Sequence, residues 1–222
     1  MPDIDWGSTL HLLSELGKGS LTTLSIFALT LLFSLPLGLL VSLGRMSRFK
    51  IISAIVKLYI RIMRGTPLIL QIVFVYFVPY DLFPNAKLNF DRFLAVIIAF
   101  VLNYAAYFAE IYRGGIQSIP KGQYEASEVL GFTRVQTFFR IIFPQVIKRI
   151  LPPISNEVIT LVKDTALAQT IGIIELYKTA SFAAESDFST APLFVAGLFY
   201  FVMNWIVEKI LHLCEKKLDY YR

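Results

Sequence analysis

The chain has 222 residues, of which 56% are hydrophobic and only 17% charged, and its mean hydropathy is +0.63. A soluble domain is typically about half apolar and about a quarter charged, so an ordinary water-soluble fold is disfavoured. The formal net charge of +5 does not indicate a nucleic-acid binder, because the basic residues collect in a few loops, as membrane topology requires. The single cysteine, Cys214, excludes a disulfide within the chain.

The first predicted element is a transmembrane helix at residues 20–44, which contain no charged side chain. Roughly 20 helical residues cross a bilayer core of about 30 Å, so this segment is long enough to span. A cleaved signal peptide is the alternative, but it needs a basic start and an apolar core of about 7 to 15 residues. The start here is acidic, with Asp3, Asp5 and Glu15 against Lys18 alone. The helix is therefore expected to stay in the mature protein.

Four further spans are predicted, at residues 51–83, 93–112, 141–174 and 192–213. The second contains a helix break at Arg64-Gly65-Thr66-Pro67. The fourth carries several charged residues and two prolines, so hydropathy alone rates it poorly. It is included because the basic loop before it and the basic C-terminus could not otherwise face the same side. The predicted fold class is an all-α membrane protein with about five transmembrane helices.

The distribution of basic residues orients these helices. Of the 21 Lys and Arg residues, 16 follow the first, third and fifth predicted spans, four lie in the opposite loops, and Lys163 is placed within the fourth span. Loops rich in Lys and Arg stay on the cytoplasmic side, so the N-terminus is predicted outside and the C-terminus in the cytoplasm.

The longest cytoplasmic connection, residues 113–144, is predicted to form two short helices joined at a glycine. Pro120 suits a first helical turn, and Gly131 can end the first helix in the left-handed conformation. Thr133 and Gln136 have the spacing of a capping box for the second helix. One apolar face is expected on that helix, formed by Val135, Phe138, Phe139 and Ile142. From this pattern alone, a solvated loop with an interfacial helix remains the alternative.

The residue identities in this loop resemble the EAA loop of ABC importer permeases. The family pattern is Glu-Ala-Ala, three residues, Gly, nine residues, and then Ile-x-Leu-Pro. Here the matching residues are Glu125-Ala126-Ser127, Gly131 and Ile141-Ile142-Phe143-Pro144. Ser127 replaces the second alanine and Phe143 replaces leucine, and both exchanges are small or apolar.

Four further segments resemble the polar amino-acid branch of this family, which includes histidine, arginine, glutamine, glutamate, cystine and opine permeases. The resemblance runs in order along nearly the whole chain. The segments are Arg64-Gly65-Thr66-Pro67-Leu68 with Gln71, residues 109–116, residues 119–126 and Lys163-Asp164-Thr165-Ala166-Leu167.

The resemblance implies the ABC type I importer permease fold, with residues 1–222 as one transmembrane domain in a prokaryotic cytoplasmic membrane. The implied partners are a second permease subunit, identical or paralogous, two ATP-binding cassette subunits and an extracytoplasmic substrate-binding protein. The chain has no G-x-x-x-x-G-K-[ST] motif, so it is expected to be a transport subunit, not an enzyme, with ATP and Mg bound by the partner. No nucleic-acid partner, metal or cofactor of its own is expected.

By the same resemblance, the loop that couples transport to the ATPase contains Glu125, Ala126, Ser127, Gly131 and Pro144. Candidate substrate-pathway residues follow from the cost of polar groups within a bilayer, which usually face a pathway or a partner. They are Glu110, Asn156, Glu157, Lys163 and Asp164.

Two of these candidates have simpler alternatives. Glu110 can pair with Arg113, three residues later, and Glu157 can pair with Arg149 or Lys163. For the chain as a whole, the main alternative is an ATP-independent secondary transporter, which would explain the intramembrane charges but not the EAA elbow. An intramembrane enzyme is disfavoured by the absence of His-pair or serine-nucleophile motifs. The substrate itself is left open between a basic amino acid, cystine and glutamine.

Overall fold

The structure is a computed structural model that describes residues 6–82 and 91–218, and no strand occurs in these two segments. Three residues used in the topology prediction lie outside the described residues. They are Phe83, the last residue of the predicted second span, and two of the counted basic residues, Lys87 and Arg222. The helices are α1 (Trp6–Arg45), α2 (Lys50–Gly65), α3 (Leu68–Leu82), α4 (Arg92–Gln117), α5 (Lys121–Val129), α6 (Arg134–Thr137), a π-helical turn (Phe138–Ile142), α7 (Phe143–Asp164), a 3-10 helix (Thr165–Ile171), α8 (Leu176–Ser186) and α9 (Ala191–Leu218).

Three of the described helices are long and apolar enough to cross a membrane on their own, within α1, α4 and α9. The pair α2 and α3 also meets these criteria when taken together as one broken span. The predicted fourth crossing corresponds to α7 and the 3-10 helix that follows it. As expected from its charged residues, α7 is not among the helices that qualify by composition.

The predicted break in the second span lies where α2 ends at Gly65 and α3 begins at Leu68. Pro67 has no N–H to donate, and a residue before proline is pushed out of the helical region. The side chain of Gln71 bridges the break, because its Nε2 donates to the Thr66 carbonyl at 3.2 Å and to Thr66 Oγ1 at 2.8 Å. Thr66 and Gln71 of the family motif are therefore joined by side-chain hydrogen bonds across the break at Pro67.

The chain divides into two compact units. The first comprises the described parts of Met1–Phe33, Thr66–Val101 and Ile159–Val207. Its apolar core includes Leu16 of α1, Leu176 and Ala180 of α8, and Ala196 of α9. Leu12, Phe199 and Met203 pack against these residues, among others. Parts of these three helices are thereby held together by side-chain packing.

The second unit comprises the described parts of Ser34–Gly65, Leu102–Val158 and Glu208–Arg222. One of its clusters joins Ile60 of α2 to Ala106 and Ala109 of α4. Another lies beside the loop at residues 113–144 and is formed by Ile119, Ile142 and Val146. The start of the loop after α4 is therefore held against α7 by apolar contacts.

Large apolar side chains are exposed along α9. They are Phe194, Leu198, Phe201, Val202, Trp205, Ile206, Ile210 and Leu213. Apolar surface of this extent indicates contact with lipid or with another subunit.

Candidate functional site

The connection at residues 113–144, called the elbow below, turns sharply between α5 and α6. Backbone hydrogen bonds hold this turn. Gly131 has φ +78°, in the left-handed region that glycine adopts without strain. Its N–H donates to the Glu128 carbonyl at 3.0 Å, and the Phe132 N–H donates to the Ser127 carbonyl at 3.0 Å. These bonds satisfy carbonyl groups that the end of α5 would otherwise leave unpaired. The predicted left-handed glycine is confirmed.

The capping box of α6 is also confirmed. The Gln136 backbone N–H donates to Thr133 Oγ1 at 3.3 Å, and the Thr133 N–H donates to Gln136 Oε1 at 2.9 Å. Two donors at the start of the helix are thus satisfied reciprocally. The entry of the chain into α6 is fixed by residues only three positions apart.

The prediction of one apolar face beyond Thr133 is wrong in its spacing. Ile142 is buried and Phe138 packs against the same cluster, but the side chains of Val135 and Phe139 are exposed. The reason is that residues Phe138–Ile142 form a π-helical turn. Hydrogen bonds from i to i+5 widen this turn, so side chains no longer follow the spacing of an α-helix.

The predicted coupling residues lie on the exposed side of this elbow, with one exception. Glu125, Ala126, Gly131 and Pro144 are exposed, whereas Ser127 is buried. Ser127 Oγ donates to the Tyr124 carbonyl at 2.7 Å, so serine fits where the family pattern has alanine without leaving a polar group unsatisfied.

The tip of the elbow is apolar, because Val129 and Leu130 are 88% and 72% exposed. Exposed apolar side chains at the tip of a polar helix are typical of a surface that another protein covers. The elbow therefore presents an apolar tip to its surroundings.

The base of the elbow is closed by contacts between α4 and α7. A guanidinium N–H of Arg149 donates to the carbonyl of Ser118, just beyond the end of α4. Gly115 lies against Ile150, and a Cβ placed on Gly115 would overlap Ile150 Cγ2. The two helices approach so closely that any larger residue at this position requires Ile150 to shift.

Glu110 lies in the last part of α4 and is half-buried. Its carboxylate accepts from Arg113 Nε at 3.1 Å and from Arg113 Nη2 at 2.6 Å. The pairing with Arg113, expected as the simpler alternative, is therefore present. Glu110 also lines a cavity of about 410 Å³ together with Arg64 and Gly65 of the family motif.

The other pathway candidates lie on α7. Asn156 is exposed and Glu157 is half-buried, and both belong to the second compact unit with Glu110. Lys163 is exposed and Asp164 half-buried at the end of α7, in the first unit. Next to Asn156, the buried Ser155 Oγ donates to Glu215 Oε1 of α9 at 2.8 Å.

A fully buried carboxylate, Glu175, was not singled out from the sequence. It precedes α8 and accepts hydrogen bonds from the Tyr177 and Lys178 N–H groups at 2.8 Å and from the Tyr200 hydroxyl at 2.9 Å. Burial raises the pKa of the Glu175 carboxyl, although these hydrogen bonds oppose the shift. Glutamate is not a preferred N-cap residue, so the sequence offered little signal for this role.

No group of three or more metal-ligating side chains occurs among the residues that the structure describes. The functional features are therefore a helical membrane chain, a glycine elbow with an apolar tip, and ionisable residues in or beside the spanning helices. These features are those of a membrane-spanning chain with an exposed apolar elbow.

Comparison with known proteins gives the same class. Residues 34–220 match the family model described as binding-protein-dependent transport system inner membrane component, and the chain belongs to this family. It is the transmembrane subunit of an importer of the ABC class and a membrane protein, not an enzyme.

Individual relatives cover almost the whole chain. The L-cystine transport system permease protein TcyB of Bacillus subtilis (strain 168) is 36% identical over 208 residues, which are 93% of this chain and 87% of the relative. The arginine transport system permease protein ArtQ of the same strain is 36% identical over 217 residues, covering 97% and 98%. The crystal structure of an amino acid ABC transporter with histidines superposes with a TM-score of 0.86 at 32% identity, covering 96% of this chain and 99% of that one.

Proposed function

We propose that this chain forms the translocation pathway of an ATP-driven importer of polar amino acids and couples it to a separate ATPase through the elbow at residues 113–144. The elbow carries the proposal, because its left-handed Gly131 and its capping box fix a turn between two helices whose tip is apolar and exposed. The relatives named as permeases for cystine and arginine support the substrate class.

The proposed assembly contains two permease subunits, two ATP-binding cassette subunits that bind ATP and Mg, and an extracytoplasmic binding protein. The exposed apolar surface of α9 supports contact with lipid or a second permease subunit. The N-terminus is proposed to lie outside and the C-terminus in the cytoplasm, which places the elbow on the side where ATP is available. In this arrangement the whole chain acts as one permease domain.

The substrate contacts are proposed among Glu110, Asn156, Glu157, Lys163 and Asp164. A carboxylate suits the α-amino group or a cationic side chain of an amino acid, and an ammonium suits its α-carboxylate. The carboxylate of Glu110 has acceptor capacity beyond the bonds to Arg113, so pairing with Arg113 does not exclude a substrate contact. The proposed substrate is a basic amino acid, cystine or glutamine.

The test is ATPase activity of the chain purified with its partner subunits in lipid nanodiscs, with candidate binding proteins and amino acids added. Stimulation that requires both the binding protein and one amino acid is the expected result. Uptake driven by an ion gradient, with no ATPase associated, would instead support the alternative of a secondary transporter.

A further inference from the structure

The cavity beside Glu110 is lined by four basic side chains to which the proposed transport function gives no role. It has a volume of about 410 Å³ and is lined by Arg45, Lys57, Arg61, Arg64, Tyr107 and Glu110, among others. Small-ligand sites in proteins have volumes of about 300–1,000 Å³, so the cavity is large enough for a small ligand or headgroup. All these residues belong to the second compact unit.

Among the residues that the structure describes, the four basic side chains outnumber the carboxylates in the lining of the cavity. None of them forms an ion pair with a described carboxylate. The single carboxylate in the lining, Glu110, is paired with Arg113, and it also interacts electrostatically with Arg64 and Arg45. One carboxylate cannot neutralise four basic side chains, so the cavity keeps an excess of positive charge. Concentrated charge of one sign in a concave surface attracts a ligand of the opposite charge.

Two of the four side chains are held in position before any ligand binds. Arg45 Nη1 donates to Ser53 Oγ at 2.9 Å. The Arg64 guanidinium lies over the Tyr107 ring, 5.2 Å from its centroid, as in a cation–π contact. Three of the four are arginines, whose planar forked donors match the oxygens of a phosphate group. The chemistry of the cavity thus favours a phosphate-bearing anion.

The arrangement of residues on α2 indicates whether this anion is a lipid headgroup or a soluble ion. One row of its residues packs inward, formed by Val56, Ile60 and Met63. A second row is basic, formed by Lys57, Arg61 and Arg64, and a third row is apolar and exposed, formed by Ile51, Ile55, Leu58 and Ile62. A helix with basic and exposed apolar rows side by side is typical of the boundary between lipid headgroups and acyl chains.

The remaining lining residues place the cavity at the end of spanning helices. Arg45 is the last residue of α1, and Tyr107 and Glu110 lie in the later part of α4. A basic residue at the end of a spanning helix, such as Arg45, lies close to the headgroups, where anionic lipids attract basic segments.

We propose that this cavity binds the phosphate headgroup of an anionic phospholipid, with Arg45, Lys57, Arg61 and Arg64 as its ligands. The acyl chains then lie along the exposed apolar row of α2. The inference depends on the chain being a membrane protein and not on which solute the importer carries.

The test compares two double variants that remove the same charge from neighbouring positions. K57Q/R61Q removes two cavity ligands, and R48Q/K50Q removes two exposed basic residues that do not line the cavity. The full chain with its partner subunits is purified, supplied with phosphatidylglycerol or phosphatidylcholine, and examined by native mass spectrometry. We expect phosphatidylglycerol retention to fall about tenfold in K57Q/R61Q, and by less than about twofold in R48Q/K50Q.

Three results would overturn the proposal. They are equal losses in the two double variants, equal retention of phosphatidylcholine and phosphatidylglycerol by the wild type, and displacement of phosphatidylglycerol by millimolar inorganic phosphate, which would indicate a site for a soluble anion.

A second measurement applies even if K57Q/R61Q fails to fold. Phosphatidylglycerol should raise the thermal midpoint of the wild-type complex in a saturable manner, and phosphatidylcholine should not. The charge-retaining variant K57R/R61K should keep this response. Its absence in the wild type would overturn the proposal without reference to any neutral variant.

Discussion

The carboxylate of Glu110 accepts hydrogen bonds from both Nε and Nη2 of Arg113, one turn later on α4. Arg113 in turn donates through Nη1 to Gln117 Oε1. This short row of polar side chains lies in a helix that is apolar enough to cross a membrane. The contact makes the role of Glu110 testable, because a substrate ligand and a purely structural partner respond differently to loss of Arg113.

For Glu110→Gln we expect the KM of amino-acid uptake to rise about tenfold, because a charge-assisted hydrogen bond to substrate is lost. Arg113→Gln should leave KM within about twofold, since it removes the partner but keeps the carboxylate. Uptake kinetics in proteoliposomes provide the measurement, with complex assembly checked by size-exclusion chromatography. If both variants instead lowered the amount of assembled complex equally, with KM unchanged, Glu110 would have only a structural role.

Two neighbouring glycines of α4 give a matched pair for the contact between α4 and α7. Gly115→Ala should destabilise the protein by about 1–3 kcal/mol, because the new methyl group overlaps Ile150. Gly114→Ala meets no atom within 4 Å and should be neutral or stabilising by up to ~1 kcal/mol. The measurement is the denaturation midpoint of the purified complex.

The close approach of Gly115 can be checked by a double variant. On an Ile150→Ala background the methyl group of Gly115→Ala has space, so its additional cost should be smaller than in the wild type. Equal costs on both backgrounds would show that the two residues do not clash.

The elbow is tested at Gly131. Gly131→Val should reduce ATPase activity coupled to transport at least about tenfold, because a β-branched residue is strained by about 1–3 kcal/mol in the left-handed region. Gly131→Asn should lose much less, since asparagine tolerates this conformation. Gly122→Ala, on the exposed surface of α5, provides the control. Full coupled activity in Gly131→Val would contradict the interpretation of this elbow as a rigid coupling element.

The buried Glu175 predicts a pH dependence of stability. Its pKa is raised by burial above the ordinary value of 4.5, so the folded protein holds this proton more tightly than the unfolded chain does. The resulting stabilisation is complete below the ordinary value and is lost as pH rises through the raised pKa. The thermal midpoint of the wild type relative to Glu175→Gln should therefore fall as pH increases from about 4 to about 8.

The exposed carboxylate of Glu185, on the same helix, provides the control. Glu185→Gln measured against the wild type should show a much weaker trend over the same pH range. A difference between wild type and Glu175→Gln that stays constant with pH would mean that Glu175 binds no extra proton on folding.

Local chemistry determined what could be predicted from the sequence. The Thr133–Gln136 capping box, the left-handed Gly131 and the break before Pro67 each depend on residues within a few positions. Contacts between distant segments left no comparable signal, because they depend on how the helices pack. The Tyr200 hydroxyl reaches Glu175 across 25 residues, and Ser155 reaches Glu215 across 60.

The prediction of one apolar face after Thr133 was wrong for a different reason. It assumes 3.6 residues per turn, whereas Phe138–Ile142 form a wider turn. The sequence of this turn contains neither proline nor glycine that would mark it.

The wider turn has a consequence for insertions and deletions. Residues Phe138–Ile142 contain the equivalent of one extra residue between α6 and α7. Deleting one of them would restore an ordinary α-helical turn while keeping the rotational phase of the flanking helices. The elbow can therefore become one residue shorter while the polar side chains of α7 keep facing the same direction around the helix axis.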